Sequence, residues 1–153
     1  MAKQSAGLLL FRGSRESLEV LLVHPGGPFW ARKDDGAWSI PKGEFSEDEE
    51  PLAAAIREFR EETGKAIQGE FISLEPVNQA GGKRVFAWAI RGDFDPSQLQ
   101  SNTFCMEWPR GSGRQQQFPE VDRAAWFDLP AAKRKILGGQ APLLDQLAAV
   151  VRP

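Results

Sequence analysis

The run GEFSEDEEPLAAAIREFREETGK, from Gly43 to Lys65, encodes a turn that feeds a short amphipathic helix. Pro51 suits the first helical position, where its missing N–H would have had no intrahelical partner anyway. Glu47, Asp48, Glu49 and Glu50 precede it, at the end of the helix dipole that favours negative charge. Gly64 follows the last turn, where a left-handed cap strains glycine least. The predicted helix therefore runs from Pro51 to Thr63. Leu52, Ile56, Phe59 and Thr63 recur at i, i+4, i+7 and i+11 and predict one buried stripe. Glu58, Glu61 and Glu62 fall on a different face, where like charges at i, i+3 and i+4 oppose the helix by about a few tenths of a kcal/mol per pair. Arg57 and Arg60 offset part of that repulsion. Two readings follow: a solvated, salt-bridged helix face, or a carboxylate-only site for a hard divalent cation, Mg2+ or Mn2+.

The spacing decides between them. Gly43, five residues, Glu49, seven residues, and then Arg57-Glu58-Phe59-Arg60-Glu61-Glu62-Thr63-Gly64 resembles the Nudix hydrolase signature, G-x5-E-x7-R-E-U-x-E-E-x-G-U with U apolar. All seven charged or glycine positions match, as does the apolar Phe59; Lys65 departs from the last apolar position. Chance agreement at seven such positions is on the order of one in a million for a chain this long. The departure at Lys65 touches packing after the helix cap and leaves the acidic positions intact.

The resemblance implies an α/β (α+β) fold, an α/β/α sandwich around a mixed β-sheet, spanning 1–153 as one domain. Pattern alone gives an α+β domain with a mostly antiparallel sheet. The resemblance also implies that Glu58, Glu61 and Glu62 hold Mg2+ or Mn2+, with the Gly43 carbonyl touching the cation. Lys42 is then expected at phosphate, and Glu44 in support of the site. Arg57 orients the catalytic glutamate through a salt bridge, and Glu49 pairs within the same unit. The general base stays open between Glu61 and Glu62, with Glu120 next and Asp122 as its fallback.

The rest of the chain agrees with a small enzyme. Its 153 residues, 41% hydrophobic, suffice for one core. Net charge is −2 with no basic tail, which excludes a general nucleic-acid binder but not a small anionic nucleotide substrate. The single cysteine, Cys105, rules out an intrachain disulfide, fits a reducing, cytoplasmic setting, and is expected as an inert buried thiol. Met1 to Ser5 lacks the apolar core of a leader, and no apolar run is long enough to span a bilayer. His24 stands alone, so histidine-rich metal sites and a Ser-His-Asp hydrolase are excluded, and a structural role is expected for it.

Strands are predicted at Ser5–Phe11, Leu18–His24, Ala37–Ile40, Ile67–Val77, Arg84–Ile90, Thr103–Trp108 and Ala124–Leu129, the first two as a hairpin. Phe86, Trp88 and Ile90 are expected on one face. Helices are predicted at Pro130–Leu137 and Leu143–Val151, the latter packing Leu144, Leu147, Ala148 and Val151 against the sheet. Two long loops carry functional side chains. In His24–Gly36, Phe29 and Trp30 are candidates to stack on a base or to anchor the loop, and Arg32 or Lys33 to meet phosphate; Asp34-Asp35-Gly36 reads as a turn. In Trp108–Glu120, Arg110 and Arg114 bring charge, Glu120 an extra ligand or base, and Trp108 or Phe118 a ring to cover the base.

The run Trp38–Glu44 resembles that of the dinucleoside polyphosphate hydrolases within the family. Substrates like diadenosine tetraphosphate, cut asymmetrically, follow from that likeness. Pro-Lys-Gly also occurs in Nudix members acting on inositol pyrophosphates and capped RNA. A house-cleaning nucleoside triphosphate pyrophosphatase and a non-catalytic nucleotide-sensing module are the alternatives; the second conflicts with the full set of glutamates. Nothing in the sequence sets an oligomeric state.

Overall fold

The computed structural model describes residues 3–151, so Met1 and Ala2, on which the leader reading rests, lie outside the described residues. The chain forms β1 (Gln4–Arg12), β2 (Glu19–Pro25), β3 (Lys42–Glu44), α1 (Pro51–Thr63), β4 (Ile72–Ser73), β5 (Val77–Gln79), β6 (Lys83–Arg91), β7 (Thr103–Glu107), β8 (Gln115–Pro119), β9 (Val121–Asp128), α2 (Leu129–Lys135) and α3 (Ala141–Val150). β1 is apolar on both faces because both are covered. Ala6, Leu8 and Leu10 pack towards α1 with Phe59 and Ile90. Leu9 and Phe11 pack the other way, with Leu143, Leu144 and Leu147 of α3. β1 runs parallel to β6 from Gln4↔Arg84 to Phe11↔Arg91, and antiparallel to β2 and β3. β2 in turn pairs antiparallel with β9. The result is a mixed sheet between two helical layers, an α/β/α sandwich.

α1 has the expected bounds, and its C-cap Gly64 adopts φ 86°. Its buried residues are Ala54, Ala55, Glu58, Phe59 and Thr63; Leu52 and Ile56 of the expected stripe are only half-buried. Small alanines let the helix lie close on β1, which pushes the larger Leu52 and Ile56 to the rim. Lys65 is exposed and donates to the Asp93 carbonyl at 2.7 Å, while Ile67 takes the apolar place beside Phe94.

Ala37–Ile40 is not a strand but makes isolated bridges at Ser39 and Trp38. The Ile40 N–H donates to the Gln140 side chain at 3.0 Å instead of a ladder partner. Of the expected strand Ile67–Val77 only Ile72–Ser73 (β4) and Val77, the first residue of β5, are strand; Ile67–Phe71 is not, and Leu74–Pro76 separates the two, Pro76 having no N–H to donate. Phe86, Trp88 and Ile90 do share the α1 face. β8 lies within the second long loop, where a run of three glutamines hid an exposed hairpin with β7. Cys105 sits on that hairpin and is exposed, not buried, because no element covers it there. Among the described residues no helix is long and apolar enough to cross a membrane.

Gly7 marks where β3 crosses β1 most tightly. A Cβ there would meet the Pro41 carbonyl at 2.5 Å and Lys42 Cβ at 2.6 Å. Gly7→Ala is expected to lower stability by about 1–3 kcal/mol through this overpacking, read as a lower urea midpoint with an unchanged slope.

Candidate functional site

β3 delivers Gly43 against the buried carboxylate of Glu58, which leaves no room for a side chain: a Cβ at Gly43 would fall on that carboxylate. Four residues on, the Glu62 Oε1 accepts the Lys42 backbone N–H at 3.2 Å. Arg57 forks onto Glu49, Nε to Oε2 at 2.8 Å and Nη2 to Oε1 at 2.9 Å, while its Nη1 reaches Glu58 at 2.9 Å and Glu61 at 3.2 Å. One guanidinium thus holds three glutamates, and these pairs keep it firmly charged.

Glu120 arrives from the far end of the chain. The Asn102 backbone positions it, donating its N–H to the Glu61 carbonyl at 2.8 Å and accepting from the Glu120 N–H at 2.8 Å. The Gly26 N–H adds a bond to the Glu120 carbonyl at 2.9 Å. Backbone hydrogen bonds therefore fix Glu120 relative to α1, while its side chain makes no hydrogen bond or ion pair among the described residues.

These carboxylates feel one another. Burial, then the Glu58 charge, pushes Glu62 up to about 8. Burial also raises Glu58, with Glu61 and Glu120 adding repulsion, and raises Glu120, with Glu61 adding to it. On the other wall, burial and then the nearby Lys83 charge lower Lys42. A cleft of about 250 Å³ collects Glu62, Glu120, Lys42, Lys83, Gln79 and Trp30. A larger hollow, of 860 Å³, lies beside Arg12, but that cation is already paired with Glu19 and Asp93.

Among the described residues no three acidic, His or Cys side chains already converge as a closed metal cage. Glu58 and Glu61 turn to Arg57, and Glu62 to Lys42. The donors still fit a hard dication: they are oxygens only, they repel one another for want of positive charge, and the missing side chain of Gly43 leaves room for the Glu58 carboxylate. Mg2+ commonly takes one or two carboxylates and completes its shell with water and phosphate, so no cage is required.

The remaining expected residues divide. Trp30 lines the cleft, with Lys33 Nζ 5.0 Å from its ring centroid. Arg32 and Arg114 are exposed, line no part of the cleft, and make no side-chain ion pair among the described residues: Arg32 sits on a turn, and Arg114 at the open end of the β7–β8 hairpin, where its carbonyl accepts from Trp108. Glu44 faces Lys3 and Lys83, both at 3.7 Å, and so buttresses the cationic wall, outside the carboxylate group. Phe29 and Trp108 meet edge to face at 5.6 Å under Arg110, and Phe118 packs on Phe104; these rings fasten the loops to each other. His24 is fully buried between Asp122 (2.8 Å) and the Lys33 carbonyl (2.6 Å), as a structural role requires, and this engages Asp122 and removes it as a fallback base. Lys83 and Gln79 were not singled out from the sequence; the β-turn at Gly81-Gly82, which carries a strand start to the cleft, was the available signal.

A family model of the NUDIX domain matches residues 1–147. Diphosphoinositol polyphosphate phosphohydrolase 3-alpha of Homo sapiens is 36% identical over 89 residues, 58% of this chain and 50% of that protein. RNA pyrophosphohydrolase of Hahella chejuensis is 39% identical over 54 residues, 34% of each chain. The chain thus spans half or less of the curated relatives it matches. Among solved structures, a C. elegans Ap4A hydrolase binary complex superposes with a TM-score of 0.65 at 23% identity, over 97% of this chain and 96% of that one. The NUDIX domain of Shewanella oneidensis NrtR, complexed with ADP ribose, gives 0.63 at 19% identity, over 97% and 88%. Both likenesses are of fold.

Two outcomes follow from the geometry. Gly43→Ala is expected to displace Glu58 and weaken Mn2+ binding at least tenfold in a calorimetric titration, about 1.4 kcal/mol. Glu62 is held near 8 when folded against 4.5 as the ordinary value, so between those limits the folded state keeps a proton that the unfolded chain releases. Without added metal, stability from this group is full below pH 4.5 and falls as pH rises through about 8. Glu62→Gln should flatten that decline in urea midpoints measured from pH 5 to 9.

Proposed function

The chain belongs to the Nudix family, and on that footing we propose that it is a pyrophosphohydrolase of nucleoside diphosphate derivatives, dinucleoside polyphosphates first among them. The observation that supports this most is the crowding of Glu58, Glu61, Glu62 and Glu120 beside the Lys42–Lys83 wall. Such a site has acidic oxygens for a cation on one side and ammonium groups for phosphate oxygens on the other. Glu58, Glu61, Glu62 and the Gly43 carbonyl would hold Mg2+ or Mn2+, which neutralises phosphate charge and lowers the pKa of a bound water.

This chain's own groups then divide the work. Arg57 keeps Glu58 and Glu61 in register and prevents their mutual repulsion from splaying them. Lys42 and Lys83 draw in the polyphosphate. The free side chain of Glu120, raised above the usual carboxylate range, faces Glu61 and is the base that takes a proton from water. That ranks it ahead of Glu61 and Glu62, whose oxygens are engaged by Arg57 and Lys42. Water attacks one phosphorus of the anhydride, the bridging P–O bond breaks, and the leaving phosphate departs with its electron pair. No covalent intermediate is needed. All of 1–153 is taken as one domain, and the exposed single thiol of Cys105 suits a reducing, cytoplasmic setting.

The substrate preference rests on the Trp38–Glu44 run and on the Ap4A hydrolase among the structural neighbours, a likeness of fold at 23% identity. The relatives named RNA pyrophosphohydrolase and diphosphoinositol polyphosphate phosphohydrolase share the requirement for adjoining phosphates. A nucleoside triphosphate pyrophosphatase is the second reading, supported by the same cleft without a second base.

Purified protein with Mg2+ or Mn2+ and a nucleotide panel separates these. ATP plus AMP from diadenosine tetraphosphate is the expected result; NMP plus pyrophosphate from triphosphates selects the second reading, and binding without products selects a sensing module. EDTA should abolish turnover. Glu61→Gln and Glu120→Gln should each lower kcat by about 10²–10⁴-fold with the fold intact by circular dichroism. Wild-type turnover in Glu61→Gln sinks the carboxylate assignment.

A further inference from the structure

Gln140 lies in a single 3-10 turn (Gly138–Gln140) between α2 and α3, fully buried, and its amide is completely used. The Ile40 N–H can only donate, so the atom it meets at 3.0 Å is the Gln140 oxygen. The Gln140 nitrogen therefore faces Ser39 Oγ at 3.0 Å and Gln79 at 2.8 Å. Ser39 donates its own hydroxyl hydrogen to the Ile40 carbonyl at 2.6 Å, so towards Gln140 it accepts. The atom that Gln79 offers to Gln140 must likewise accept, which makes it the amide oxygen. The orientation of Gln79 is thus dictated in three steps from one backbone N–H.

What remains is the Gln79 NH2 group, two donors with no hydrogen-bond partner among the described residues, on a side chain that lines the cleft with Lys42, Lys83, Glu62 and Glu120. Gln79 stands directly opposite Lys83 in the β5–β6 ladder, so the two side chains leave it on the same face, and both line the cleft. Gly139 closes the arrangement from behind: a Cβ there would come within 2.8 Å of the Asn78 carbonyl and 2.9 Å of Gln79 Cα.

We infer that Gln79 is a substrate-binding residue that donates its amide hydrogens to phosphate oxygens beside Lys83, and that buried Gln140 is a positioning residue that keeps those donors turned into the cleft. The inference rests on the proposed hydrolase reading for the identity of the anion. Phosphate oxygens are favoured over a base edge because the ammonium groups of Lys42 and Lys83 line the same cleft.

The test uses diadenosine tetraphosphate with Mg2+ for turnover and inorganic tripolyphosphate for calorimetric binding. Gln79→Ala should raise KM and the tripolyphosphate Kd about tenfold, more than it lowers kcat, as expected for a lost bond to a charged acceptor. Gln79→Glu should raise them further. Gln140→Glu still accepts from Ile40 but can no longer donate, so Gln79 turns its oxygen to the cleft and KM rises. In a Gln79→Ala background the same change should add nothing, the mark of one residue acting through another. If Gln140→Glu fails to fold, the two Gln79 variants decide alone. Turnover by the wild type with KM and Kd unmoved in the Gln79 variants overturns the inference and leaves the hydrolase reading standing. If no nucleotide is turned over, the hydrolase reading fails, and tripolyphosphate binding still decides for or against Gln79. A Kd that rises for diadenosine tetraphosphate but not for tripolyphosphate also overturns it, since the contact would then be to the nucleoside.

Discussion

Like charge held in a half-dry corner is the constraint that shapes this molecule. Glu58, Glu61, Glu62 and Glu120 all reach one end of the sheet, and each of the three with a raised value is pushed up first by burial and then by another carboxylate. A chain that only needed to fold would not keep such a group, because a buried carboxylate without a counter-charge is strongly unfavourable. Arg57 answers part of the charge by forking onto Glu49 and reaching Glu58 and Glu61. A single backbone N–H answers part of Glu62. The arrangement therefore remains short of positive charge, and the proposed binding of a cation with a polyphosphate draws on that shortage.

The fold meets this constraint by fastening backbone rather than side chains. β1 carries the parallel pairing to β6 and the short antiparallel pairing to β3, so Gly43 and Lys42 are set from the central strand. Asn102 ties α1 to Glu120 with one donated and one accepted bond, and Gln100 adds a bond to the Thr63 carbonyl at 3.0 Å. These bonds set the Cα positions of the acidic residues, and Arg57 holds Glu58 and Glu61 in place besides. Orientation fixed in advance is what lets a site of this kind act without reorganising at the moment of reaction.

How much of this the sequence discloses follows from where each signal resides. The helix and its acidic face are local: caps, periodicity and spacing all sit between Gly43 and Lys65, so its bounds and the neighbours of Arg57 are legible. The sandwich is legible only through the resemblance that the box carries; pattern alone gives a mostly antiparallel α+β domain, because nothing local marks β1 as running parallel to β6. What stays hidden depends on contacts between distant segments. Ala37–Ile40 has strand composition, yet Gln140, a hundred residues on, takes its N–H. Leu52 and Ile56 match a helical stripe, yet alanines make the close approach. Gln115–Gln117 carries no apolar alternation, so β8 leaves no pattern to read. Glu120 is a candidate in the sequence only by resemblance, and its place beside α1 depends on backbone bonds to the distant Asn102 and Gly26.

That division also separates chemistry from selectivity. The box supplies acidic oxygens from one contiguous stretch, whereas the rest of the cleft is assembled from Trp30 in a loop, Gln79 and Lys83 of the β5–β6 hairpin, and Glu120 between β8 and β9. Trp30 belongs to a loop that is held at several points: His24 Nε2–H donates to the Lys33 carbonyl, Asp34 and Asp35 pair with Lys135 at 2.6 and 3.0 Å, and Phe29 rests on Trp108. A loop pinned in this way acts as a wall and not as a lid, since closing it would break all of these contacts together. Selectivity in such a cleft arises from which donors and rings the pinned segments present, so it changes by substitution at those few positions without disturbing the balance of charge that Arg57 maintains.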